Sequence, residues 1–70
     1  MSLRRDDLHT HVEDGGRYRL IDPAVLLKHP DTGAWLAAVL YEDSDPDSPR
    51  RFQRYTTTEA RWIEKFRVIS

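Results

Sequence analysis

The chain has 70 residues, a formal net charge of −1, 33% charged residues and no cysteine. That length holds one domain at most and buries only about 60% of the unfolded surface, while the missing thiols exclude disulfides and thiolate zinc sites. Aromatic packing, from two Trp, three Tyr and two Phe, and self-association are the remaining supports for so small a core. No apolar run reaches the ~20 residues of a membrane span, and the opening Met1-Ser2-Leu3-Arg4-Arg5 is no hydrophobic leader. A cytoplasmic protein with no membrane contact is expected.

Residues 1–16 are polar, offer only Leu3, Leu8 and Val12 as sizeable apolar side chains, and end in Gly15-Gly16. They read as a flexible lead-in to a single small domain over residues 17–70. His9 and His11 alternate as paired metal ligands on a strand would, with Glu13 and Asp14 close by. In a polar tail ahead of two glycines they read as solvated side chains, and no metal site or other cofactor is expected.

From Arg17 the chain alternates, Tyr18 and Leu20 on one side and Arg17 and Arg19 on the other. This is the pattern of a half-buried strand at a sheet edge, bent at Asp22-Pro23, where proline has no N–H to donate. Two apolar runs follow, Ala24 to His29 and Ala34 to Tyr41, joined by Pro30-Asp31-Thr32-Gly33. Proline presets φ, Asp31 and Thr32 can bond back to the local backbone, and Gly33 supplies a positive φ, so a β-hairpin is predicted. The second arm is apolar on both faces and belongs inside the sheet. Its Ala and Leu content leaves a helix as the competing reading, which its short length and flanking turns disfavour.

Glu42 to Pro49 has no apolar residue and two prolines, and reads as a solvated loop. Asp43, Asp45 and Asp47 alternate like the start of a calcium loop, but Ser48 stands where the turn glycine is needed and Arg54 where a bidentate acid is needed. Arg50 to Thr56 reads as the next strand, pairing with the Trp35 to Tyr41 arm. Thr56 and Glu59 have the spacing of a capping box, and Ala60, Trp62, Ile63 and Phe66 share a helical face, so a short C-terminal helix is predicted. Phe66 to Ile69 closes the chain as a strand or as the end of that helix. Together these elements predict a mainly β (α+β) domain: a small curled antiparallel sheet or SH3-like barrel with a short C-terminal helix.

Charge is unevenly distributed. Residues 1–49 carry five basic against ten acidic side chains, residues 50–70 six against two. The second part either meets an anionic partner or balances the first within the fold or across a dimer.

Three functional readings follow. The first is a non-enzymatic protein-interaction module binding itself as a homodimer, or another protein, with Trp35, Tyr41, Tyr55 and Trp62 as contact aromatics too numerous for the core to enclose. The second is a single-stranded nucleic-acid-binding module, in which Arg50, Arg51 and Arg54 meet phosphate while Phe52 and Tyr55 stack on bases. The third is an enzyme built around His29. It is the weakest, because no catalytic partner stands at a diagnostic spacing and there is no phosphate loop or nucleophile elbow.

The order of motifs also resembles a family of short bacterial domains of unknown function. The corresponding pieces are Gly16-Arg17-Tyr18-Arg19, His29-Pro30-Asp31-Thr32, Val39-Leu40-Tyr41 and Trp62-Ile63-Glu64-Lys65. The resemblance implies a compact β-rich barrel or meander in a bacterial protein and assigns no catalytic residue.

Overall fold

In the computed structural model, which describes residues 3–69, the Pro30-Asp31-Thr32-Gly33 turn joins the two longest strands. The chain runs through β1 (Leu8–His11), β2 (Arg17–Lys28), β3 (Trp35–Asp43), β4 (Arg54–Thr58), α1 (Glu59–Lys65) and β5 (Phe66–Val68). The strands form one antiparallel sheet in the order β4-β3-β2-β1-β5. The sheet stays open. Its edge strands β4 and β5 are joined through α1, which also packs on β3, so the curled-sheet form is realised and the closed barrel is not.

The hairpin turn forms as its residues dictate. The His29 N–H donates to the Ala34 carbonyl at 2.8 Å, and Gly33 takes φ 73°. His29 itself organises the loop, its Nδ1 accepting from the Asp31 N–H at 3.2 Å and the Thr32 N–H at 3.4 Å. This ring nitrogen is engaged in holding a turn.

Both strand predictions for residues 17–41 are met in type, and the arm from Trp35 is a strand rather than a helix. Its partner is not at an edge, however: β2 lies between β1 and β3. The bend at Asp22-Pro23 is absorbed by two register shifts, between Leu20 and Asp22 and between Asp22 and Val25. A proline without an N–H is tolerated inside a sheet at such a bulge.

Within the supposed lead-in, residues 8–11 form β1, hydrogen-bonded on both sides to β2 and β5. Four residues of mixed polarity gave no apolar periodicity, and only the two neighbouring strands make them sheet. Met1 and Ser2 lie outside the described residues. The strand expected from Arg50 begins at Arg54, because residues 50–53 make a turn in which the Phe52 N–H donates to the Asp43 carbonyl at 2.7 Å. The helix starts later than the Thr56/Glu59 spacing suggested. Thr58 is the N-cap, its Oγ1 accepting from the Arg61 N–H at 3.2 Å, while Thr56 and Thr57 remain in β4.

Leu20, Val39, Trp62 and Phe66 form the core, with Leu3, Tyr18 and Tyr41 packed against it. The four-residue spacing of Trp62 and Phe66 brings their rings into a stack with centroids 4.0 Å apart. His9 and His11 point the same way, as alternate residues on a strand must, and pack on those rings at 4.8 Å and 4.9 Å. They are core-facing aromatics rather than solvated side chains.

Candidate binding cleft

Strand register decides which aromatic residues meet. Leu20 pairs with Tyr41 and Tyr41 with Tyr55 across three neighbouring strands, and opposed residues in an antiparallel sheet project to one face. Tyr18, paired with Asp43 two residues along β2, projects to that same face. Tyr18 and Tyr41 pack edge to face with centroids 5.6 Å apart, and Tyr55 lies 5.6 Å beyond Tyr41. This row of phenols floors a cleft of about 300 Å³.

Cations reach the cleft from two further elements. Arg50 comes from the loop before β4, and Arg61 and Lys65, one helical turn apart, come from α1. Arg61 is exposed. Lys65 donates to Glu13 Oε1 at 2.6 Å, which ties the β1–β2 turn to the helix. That bond and the Lys65 charge hold the Glu13 carboxyl below its ordinary range, and Glu13 in turn raises Lys65. Burial raises the Tyr18 and Tyr41 phenols, with Asp14 adding to the first and Tyr55 to the second. Both tyrosines therefore remain neutral through the physiological range and do not repel an anion.

His11 and Asp14 line the other wall, with Phe66 behind them. His11 Nδ1 accepts from the Glu13 N–H at 3.2 Å, and Asp14 Oδ1 accepts from the Gly16 N–H at 2.7 Å, so both help shape the turn. Space at Gly16 is tight: a Cβ would lie 3.0 Å from the Tyr18 ring and from Asp14 Oδ1. Among the described residues no group of three or more His, Asp or Glu side chains is placed to hold a metal ion. The loop expected over Glu42 to Pro49 begins later, because Glu42 and Asp43 are the buried end of β3; Asp43 accepts from the Asp45 N–H and from the Ser48 hydroxyl at 2.6 Å, and Asp45 accepts from the Asp47 N–H. These carboxylates fold the loop around themselves.

The four aromatics expected to share an interface are dispersed. Trp62 is 1% exposed and lies in the core, which removes it as a surface contact. Tyr41 and Tyr55 floor the cleft, and Trp35 stands at the far hairpin, 63% exposed, with the Lys28 ammonium 5.8 Å from its ring centroid.

The basic and aromatic residues of the nucleic-acid reading also divide. Arg50 and Tyr55 reach the cleft. Arg51 packs on the exposed Phe52 ring, 4.8 Å from its centroid, in the turn ahead of β4. Arg54 projects to the opposite face, where it and Arg19 flank the buried Glu42 at 3.3 and 3.2 Å. Tyr18, Arg61 and Lys65 complete the cleft without having been singled out, because β2 and α1, which carry them, lie far apart in sequence.

No helix among the described residues is long and apolar enough to cross a membrane. In comparisons with protein-family models, with curated proteins and with solved structures, nothing matches this chain.

Proposed function

We propose that this protein is a non-enzymatic binding module whose tyrosine cleft takes single-stranded nucleic acid. The observation that carries the reading is the convergence of Tyr18, Tyr41 and Tyr55 with Arg50, Arg61 and Lys65 around one cleft of about 300 Å³. Neutral rings offer flat faces for bases, and cations at the rim offer partners for phosphate, a combination that tolerates any sequence because every base has a π-face. Arg51 and Phe52 extend the surface along the same loop as Arg50. Of the five residues expected from sequence, Arg54 is withdrawn from this surface by its pairing with Glu42 on the other face. A cytoplasmic setting, where single-stranded RNA is met, belongs to the same reading.

Fluorescence anisotropy of labelled oligo(dT) and oligo(rU), titrated with the protein at several salt concentrations, tests it. Affinity is expected to fall steeply with salt, with a slope shallower by about one for each phosphate contact removed in Arg50→Gln or Arg61→Gln. Tyr55→Ala is expected to lose about 1–3 kcal/mol of binding, the usual worth of one stacked base. An oligonucleotide that binds the Arg50→Gln/Arg61→Gln double variant with wild-type affinity and salt slope would rule out this cleft.

A further inference from the structure

We infer that a second copy of this chain docks on the hairpin end of the sheet's inner face, away from the tyrosine cleft. Trp35 and Ala37 alternate along β3 with Val39 and Tyr41, and Ala37 opposes Leu26 across the hairpin. They therefore continue the core-facing side of the sheet beyond the end of α1. There nothing covers them: Leu26 is 67% exposed and Trp35 63%. The helix adds Ala60 and Ile63, which line a groove against Leu36 and Ala37, and Ile63 is 49% exposed. On α1 the residues toward the cleft are Arg61 and Lys65, so the two surfaces use different sides of the same helix.

Charge identifies the occupant. Lys28 lies beside Trp35 at one end of the apolar strip and Glu59 beside the groove at the other. Among the described residues neither has an ion-pair partner. A twofold axis through the middle of the strip sets the Lys28 end of one copy on the Glu59 end of its mate, twice, while the apolar residues close on each other. The surface is complementary to itself. Such a pairing also supplies the burial a chain this short lacks, since among the described residues only Leu20, Ala38, Val39, Trp62 and Phe66 are buried hydrophobic ones.

Sedimentation velocity of the full chain over a wide concentration range tests the inference. The wild type is expected to pass from the mass of one copy to that of two as concentration rises. Trp35→Ser and Ile63→Ser should each raise the dimer dissociation constant at least tenfold. Circular dichroism should remain that of the wild type, because both side chains are largely exposed in the single copy. Charge reversal gives the sharper arm. Lys28→Glu alone and Glu59→Lys alone place like charges at both contacts and should weaken pairing, whereas an equimolar mixture of the two should restore it by pairing one variant with the other. A wild type that stays at the mass of one copy throughout, a folded Trp35→Ser that pairs as the wild type does, or a mixture no stronger than its components would overturn the proposal.

Discussion

Trp62 shows how one side chain can carry a fold this small. It is 1% exposed, stacks on Phe66 at 4.0 Å and meets Tyr41 at 4.9 Å and His9 at 4.8 Å. Trp62→Ala is expected to cost about 3–5 kcal/mol, a large part of the few kcal/mol that hold a domain of this length together. Urea unfolding monitored by circular dichroism should find the variant largely unfolded in buffer. Phe52 behaves in the opposite way, being 64% exposed with φ 73°, a conformation that favours glycine. Phe52→Gly exchanges relief of that strain for greater unfolded-state freedom, two effects of about 1 kcal/mol each. Its stability should stay within about 1 kcal/mol of wild type, while oligonucleotide affinity falls if the ring stacks on a base. Both residues were visible as aromatic side chains in the sequence, but no local pattern separates the one that is enclosed from the one that is exposed.

Among the elements, the rung across β2, β3 and β4 has the clearest internal chemistry. Arg19 opposes Glu42 and Glu42 opposes Arg54, and the central carboxylate is buried while both guanidinium groups reach solvent. Glu42→Ala should cost about 1–3 kcal/mol through lost charge-assisted hydrogen bonds. Arg54→Ala should cost about 1 kcal/mol or less, since Arg19 still pairs with Glu42 and Arg54 itself is largely exposed. Paired thermal melts of the two variants measure the difference. The same rung explains why Arg54 was legible as a basic strand residue yet not as an outer-face one: the turn at residues 50–53 sets where β4 begins, and with it which side each residue faces.

For the whole molecule, the Lys65–Glu13 bond spans 52 residues and closes the β1–β2 turn onto the helix. The folded Glu13 carboxyl titrates below its unfolded value, so its contribution is present above the ordinary carboxylate range and is lost as pH falls through the folded value. Lys65, raised by the same bond, contributes below its ordinary value and ceases to do so as pH rises through the raised one. The half-buried Tyr18 and Tyr41 phenols act in the same direction on the alkaline side. Stability should therefore be flat around neutrality and decline toward both extremes. In Glu13→Gln the acid-side decline should be smaller, which melting temperature against pH will show. Because Glu13 competes for Lys65 at the cleft, the same variant should also bind oligonucleotide more tightly than wild type.

Local chemistry by itself determined the hairpin at residues 30–33, the extended character of residues 17–28 and 35–41, the short helix around Trp62 and the mainly β class. Each depends on turn residues, alternation or i, i+4 spacing, which act over a few neighbours. Only the tertiary structure decided that residues 8–11 form an interior strand, that the sheet remains open, and that Trp62 is enclosed while Trp35 is not. The cleft belongs to the same class. Tyr18, Tyr41, Tyr55, Arg50, Arg61 and Lys65 are adjacent only because register across β2, β3 and β4 and the docking of α1 bring them together, and neither is encoded in the spacing of any one segment.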